Sequence, residues 1–290
     1  MKKYLSLVKF SHTIFALPFA IIGFCLNFYL NTFPEEIDNK FIIQKFVLVL
    51  VCMITARNAA MGFNRFLDRK IDAANPRTVI REIPSGQVSA SGALLFVIVN
   101  ALLFIVATCF INSLCLALSP VALLVILGYS YTKRFTALCH LVLGAGLGLA
   151  PVGAFLTVSG QFQLLPVLFG FIVFFWVSGF DIIYALQDEE FDRNQRLHSI
   201  PAALGAKNAL LTSRILHFCS VCCVITAGYL GHFNYLYFVG TLFFIGLIVY
   251  QHNLVKADDL SKVDLAFFTT NGIASVVFSV FVISDIFFMH

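Results

Sequence analysis

Two groups of carboxylates stand out by their spacing. Asn64, Asp68 and Asp72 fall at i, i+4 and i+8, and Asp188 and Asp192 repeat the four-residue step. On a helix each such step turns the side-chain direction by only about 40°, so each group forms one stripe. Asp181 lies seven residues before Asp188, two turns back on nearly the same face. Like charges at i, i+4 repel. Brought together in a partly dry cavity, they raise their own proton affinity unless a cation sits among them. Mg²⁺ is the natural cation, because it takes oxygen ligands and is usually held by one or two carboxylates plus substrate phosphates. Basic residues flank both groups: Arg77 and Arg81 after the first, Arg193 and Arg196 after the second, with Lys133 and Arg134 between them in the chain. Carboxylates, a divalent cation and nearby Arg and Lys make a site for a diphosphate. One acidic stripe is often just a solvated helix end, as Glu189 and Glu190 are read here. Two stripes of equal spacing on one side of a membrane point to a site.

The elements that carry these stripes follow from composition. Of 290 residues, 60% are hydrophobic and 12% charged, against about 25% charged in a soluble domain. This excludes a cytosolic enzyme, a disordered chain and a secreted disulfide scaffold, and leaves an all-α polytopic membrane protein embedded in a lipid bilayer. The apolar runs are too long and unbroken for a β-barrel. The net charge of +4 forms no basic stripe, so no nucleic acid partner is expected. The eight cysteines fall mostly within apolar runs and read as small buried hydrophobes.

A span needs about 20 apolar residues. Nine candidates appear: 10–30, 41–63, 92–111, 114–132, 138–158, 165–187, 211–230, 234–252 and 266–288. Lys2 and Lys3 followed by an apolar run resemble a signal peptide, but no small-x-small cleavage site follows, so the run is read as the first helix. Lys and Arg cluster at the N-terminus and after spans 2, 4, 6 and 8; the opposite side has Lys40 and, at the edge of span 2, Lys45. That asymmetry predicts a multi-pass protein of the bacterial cytoplasmic (inner) membrane, with its N-terminus in the cytoplasm and its C-terminus outside. The two long cytoplasmic connections, 64–91 and 188–210, hold most of the acids, so chemistry is expected at that face. Asp181 falls inside span 6, where an acid costs about 2.5–3.5 kcal/mol, so it should face the protein interior. The chain reads as one domain, 1–290, with two weakly repeated halves, about 1–135 and 136–255, and a last helix at 266–288. Asp68 and Asp72 recur 120 residues later as Asp188 and Asp192, and Ile83-Pro84 recurs as Ile200-Pro201.

At these residues the chain resembles the UbiA-type intramembrane aromatic prenyltransferase family. Its first motif, NxxxDxxxD, is met by Asn64, Asp68 and Asp72; its second, DxxxD, by Asp188 and Asp192, preceded by Asp181, Tyr184 and Ala185. Arg77-Thr78-Val79-Ile80-Arg81 and the Tyr-rich turn Tyr129–Arg134 are also similar to the family, as is the opening around His12 to Pro18. The resemblance implies a UbiA-like helical bundle around a central cavity. It also implies Mg²⁺-dependent transfer of a polyprenyl group from polyprenyl diphosphate to an aromatic acid in quinone biosynthesis, menaquinone or ubiquinone. In that reading Asn64, Asp68, Asp72, Asp188 and Asp192 bind Mg²⁺-diphosphate. Lys133 and Arg134 contact phosphate, and Arg77 and Arg81 order the first loop over the site. Arg57, seven residues before Asn64, pairs either with the acceptor's carboxylate or with Asp181. Asp181 is the candidate for assisting proton removal. The string Leu197-His198-Ser199-Ile200-Pro201 is similar to the branch that prenylates naphthoate-type acceptors, which leaves 4-hydroxybenzoate and a dihydroxynaphthoate both open. His12, His140, His217 and His252 do not cluster at metal-ligand spacing and are read as packing or interface residues. The competing class is an ion-coupled transporter, which would place its carboxylates near the midplane; only Asp181 and Arg57 look that deep.

Overall fold

The computed structural model describes residues 6–7, 15–30 and 38–289. Lys2, Lys3, Lys9, His12 and the start of the first expected span therefore lie outside the described residues. The described chain is helical: α1 Leu17–Leu30, α2 Asn39–Ala74, α3 Ala90–Cys109, α4 Ser113–Thr132, α5 Cys139–Ser159, α6 Leu164–Ala185, α7 Glu189–Asn194, α8 Ile200–Leu230, α9 Tyr235–Leu254 and α10 Asn271–Phe288. A 3₁₀ turn, Leu186–Asp188, joins α6 to α7, and a π-helical segment, Leu265–Thr270, leads into α10. Eight of the helical segments are long and apolar enough to cross a bilayer, and α1 is a shorter apolar helix.

Helix starts follow the local chemistry. Asp38 accepts from Lys40 N, Ser89 from Gly92 N, Asn112 from Cys115 N and Ser199 from Ala202 N. Each satisfies an amide that has no partner within its helix. The cap at Asn112 also donates to Leu156 O, 2.7 Å away, tying the start of α4 to the end of α5. At the start of α9, Asp285 of α10 accepts from Asn234 N and Tyr237 N, both at 2.9 Å.

Two boundaries differ from the sequence reading. The segment 64–74 is not loop: α2 runs unbroken for 36 residues, about 54 Å at 1.5 Å per residue, well beyond a hydrocarbon core of about 30 Å. Its last turns leave the apolar layer as helix because their polar residues lie in one stripe whose charges are neutralised by neighbouring loops. Likewise 188–210 is not one loop. It contains α7 and the first turns of α8, which turn sharply at Gly205 (φ 76°). Asp188 and Asp192 therefore do not share one continuous helix with Asp181; the 3₁₀ turn at 186–188 re-aims them.

The core is aromatic. Trp176 of α6 packs on Phe19, Phe180 and Phe244, with centroids 5.6, 5.1 and 5.5 Å away, and Phe278 of α10 closes the same cluster. Large apolar side chains such as Leu124 and Phe288 stay exposed on the outside of the bundle, as expected of a lipid-facing surface. Helices α5 and α6 approach closely through glycines: a β-carbon on Gly148 would sit 2.8 Å from Gly170 O, and one on Gly170 would sit 2.9 Å from Gly148 O. This contact sets α6, and hence Asp181 and Asp188, against α5. Gly148→Leu should therefore lower the thermal unfolding temperature in detergent, at an overpacking cost of about 1–3 kcal/mol. Gly153→Leu, with nothing within 4 Å of its β-carbon, should leave it unchanged.

Candidate active site

The ends of α2, α4 and α6 and the starts of α5 and α8 meet at one end of the bundle. There they enclose a cavity of about 230 Å³. Asn64, Asp68 and Asp72 enter it from α2, Tyr129, Ser130 and Lys133 from the end of α4, and Asp181, Tyr184, Asp188 and Asp192 from α6 and α7. Both aspartate stripes thus face one space, although 120 residues separate them in the chain.

Each of three aspartates is met by a cation. Asp68, nearly inaccessible, takes Lys133 Nζ at 2.7 Å and an Arg134 guanidinium nitrogen at 3.1 Å, while Asn64 Nδ2 donates to its Oδ2 at 3.2 Å. Asp72 pairs with Arg81 at 2.7 Å through Oδ1. Its Oδ2 is buried and has no hydrogen-bond partner among the described residues. Asp188 is gripped in two-pronged fashion by Arg77 and also accepts from Asn75 Nδ2 at 3.0 Å. Arg77 donates as well to the Tyr184 hydroxyl at 3.0 Å, and its guanidinium lies over the Tyr184 ring. Burial works to lower the Arg77 pKa, but the hydrogen bond and charge of Asp188, with Tyr184, outweigh it and hold that pKa above the ordinary value. On its other side Tyr184 stacks on Phe267 of the π-helical segment, centroids 4.1 Å apart.

The loop 75–89 is ordered by this pairing. Asn75 ends α2, accepts from Arg77 N at 2.9 Å and donates to Asp188. Thr78 donates to Asp72 O, 3.1 Å away. Asn75 was missed in the sequence reading, although an Asn-Pro step directly after a helical stripe is a turn signal.

Other expected site residues stand elsewhere. His198 is exposed and does not line the cavity; its backbone N–H donates to Lys133 O at 2.7 Å. Arg193 reaches out to Glu189. Arg57 lies two turns deeper on α2 and is not among the residues lining the cavity. The reading of Arg57 as a partner of Asp181 gives way to a different contact: Asp181 Oδ2 is 2.7 Å from His140 Nδ1. His140 is thus not mere packing. It lines the cavity with Cys139 at the first turn of α5, a placement that no spacing in the chain signals.

Comparison with known proteins follows the same lines. The sequence pattern of the UbiA prenyltransferase family matches residues 13–273. The chain is 30% identical over 227 residues to a 4-hydroxybenzoate octaprenyltransferase of Psychromonas ingrahamii, covering 77% of each. It is 29% identical over 235 residues to one from Coxiella burnetii, covering 80% of each. Among solved structures, the apo UbiA homolog from Aeropyrum pernix K1 superposes with a TM-score of 0.82 at 30% identity, covering 94% of this chain and 98% of that one. A UbiA homolog from Archaeoglobus fulgidus bound to GPP and Mg²⁺ shares the fold with a TM-score of 0.72 at 21% identity, covering 98% of this chain and 99% of that one. A helical membrane bundle with two aspartate stripes facing one cavity, matched along nearly its whole length, belongs to the UbiA prenyltransferase family.

Proposed function

We propose that this enzyme transfers a polyprenyl group from polyprenyl diphosphate to an aromatic acid, 4-hydroxybenzoate or a dihydroxynaphthoate, in quinone biosynthesis. The observation that carries the reading is the single cavity lined by Asn64, Asp68, Asp72, Asp188 and Asp192 with Arg77, Arg81 and Lys133. Its end of the bundle is read as cytoplasmic, with the N-terminus on that side and the C-terminus outside.

Mg²⁺ fits these residues. The donors are carboxylate and amide oxygens, and the unpartnered Oδ2 of Asp72 is a buried acceptor in need of a positive partner. No three Asp, Glu, His or Cys side chains converge on one point among the described residues. That suits a cation completing its shell with water and phosphate oxygens. Asn64, Asp68, Asp72, Asp188 and Asp192 would hold it, and when bound it would stabilise the charge developing on the leaving diphosphate.

The protein's own groups do the rest. Lys133, Arg77 and Arg81, now neutralising the aspartates, stand in the same wall and can turn to phosphate oxygens once the carboxylates are otherwise engaged; Arg134, paired to Asp68 beside them, supports the same end. Tyr184 lines the same wall, its ring held between Arg77 and Phe267, and its hydroxyl accepts from Arg77 and so positions that guanidinium. The apolar wall formed by Ile71, Leu143 and Phe191 limits capture of the allylic cation by water. Arg57, deeper on α2, is assigned to the acceptor's carboxylate. His198 stands outside the cavity lining, and its backbone N–H on Lys133 O helps to place Lys133.

Membranes carrying the chain are expected to convert radiolabelled polyprenyl diphosphate and one of the two acceptors into a lipid-soluble product. That product should vanish with EDTA and in Asp68→Ala or Asp188→Ala. Full activity in correctly inserted variants would overturn the residue assignment. Solute uptake by vesicles without any prenylated product would overturn the reaction and favour the transporter. Arg57→Met should raise the KM for the acceptor about tenfold or more, the loss of about 1.4 kcal/mol or more of binding, with the KM for the diphosphate unchanged. An equal rise in both constants would remove Arg57 from the acceptor's site.

A further inference from the structure

His140 and Asp181 form a pair whose proton positions can be read from the backbone. Ile200 is the first residue of α8, and its N–H has no partner within that helix. It points instead at His140 Nε2, 3.3 Å away. A backbone amide only donates, so Nε2 is the acceptor and carries no proton. The ring proton therefore sits on Nδ1, which donates to Asp181 Oδ2 at 2.7 Å. The imidazole is almost fully enclosed, with 4% of its side chain exposed, whereas 22% of the Asp181 side chain is exposed. Both residues line the cavity. Asp181 Oδ1 makes no hydrogen bond among the described residues and is not sealed from the cavity. One carboxylate oxygen is thus fixed by the ring and the other is presented to the cavity. Among the aspartates lining the cavity, Asp68, Asp72 and Asp188 are each bound to Lys or Arg, Asp192 makes no ion pair among the described residues, and Asp181 is held by a neutral ring.

We propose that Asp181 takes the proton that the acceptor ring loses, and that His140 is the positioning residue that aims it. The inference rests on the prenyl-transfer reading above. The allylic C–O bond breaks and its electron pair leaves with the diphosphate. A C–C bond forms from the ring carbon next to the phenolic hydroxyl. The hydrogen on that carbon then departs as a proton to Asp181 Oδ1, its bonding pair restoring aromaticity. The carboxylate becomes a carboxylic acid, which returns the proton to water. Throughout, Nδ1–H stays on Oδ2, so the base keeps its orientation and the ring needs no second proton. The three groups paired to Lys or Arg are poor candidates for this step, because a neighbouring full positive charge makes a carboxylate a weak base, and Asp192 is assigned to the cation in the proposed function.

The test uses the full chain in membranes and an acceptor deuterated at its unsubstituted ring carbon next to a hydroxyl. Wild type should show an isotope effect near unity, with ionisation limiting. In Asp181→Asn turnover should fall about 10²–10⁴-fold, the usual contribution of a positioned base. In His140→Leu it should fall about 10–100-fold with KM values within about twofold, and in both variants an isotope effect of about 2 or more should emerge as proton removal becomes limiting. His140→Asn, which keeps a donor where Nδ1 stands, should recover most of the turnover. His140→Gln, whose amide reaches the Nε2 position, should not. If His140 serves only to cap α8, the order of rescue reverses and no isotope effect appears, which overturns the inference. Should His140→Leu fail to insert, Asp181→Asn and the Asn/Gln contrast decide on their own. Product from wild type with isotope effects near unity in every variant overturns the dyad alone, whereas no product from wild type with either acceptor overturns the prenyl-transfer reading and the dyad with it.

Discussion

The repulsion among carboxylates crowded at one end of the bundle is the constraint around which the rest is arranged. Asp68 and Asp72 stand one turn apart on α2, and Asp188 and Asp192 enter the same cavity from the other side. In a medium of low polarity such a group holds together only with compensating positive charge. The chain supplies that charge from two separate connections: Arg77 and Arg81 from 75–89, and Lys133 and Arg134 from the turn after α4. The loops are therefore not merely links between spans. Their conformation is the means by which the acids are neutralised, and the acids in turn order the loops. Asn75 illustrates this: its backbone N–H closes α2 on Ile71 O, while its side-chain amide shapes the turn to Arg77 and reaches Asp188.

Under the proposed function, this mutual neutralisation would also suit the site to an anionic substrate. A cavity of bare carboxylates would repel a diphosphate, and one of bare cations would hold it as tightly after reaction as before. Under the proposed function, the aspartates would hold the metal and the Arg and Lys now paired to them would be free to meet phosphate oxygens. The close α5–α6 packing through Gly148 and Gly170 holds the two helices that carry His140 and Asp181 against each other.

How much of this was legible in the chain depends on whether a feature is periodic. The helical bundle was, because apolar runs and the alternation of Lys and Arg carry the same information at two length scales. The stripes were, because i, i+4 spacing is visible in one dimension. Their convergence was suggested by equal spacing on one side of the membrane, and both line one cavity. Boundaries were less legible: Asn64 to Ala74 looks like a loop by hydropathy, yet stays helical because its charges find partners 9 to 66 residues away. The 3₁₀ turn at 186–188 leaves no mark in spacing at all. His140 was illegible for a different reason. A histidine two residues into an apolar helix is ordinarily packing, and only the arrival of Asp181 and of the α8 N-terminus, 41 and 60 residues on, gives it a role.

That last contact joins two problems with one ring. The start of α8 needs an acceptor for its first amide, and a carboxylate inside a membrane helix needs a donor that does not add a full charge to the cavity. A neutral imidazole meets both, because its two nitrogens have opposite character and each fixes the other. Lysine or arginine at 140 would neutralise Asp181 but offer nothing to Ile200 N, and would bring a fifth cation toward the diphosphate wall. A hydroxyl would be too short to span both partners. The choice of histidine follows from the geometry between α5, α6 and α8: only a flat side chain with a donor and an acceptor on opposite edges can bridge a helix start to a buried acid while leaving one carboxylate oxygen open to the cavity.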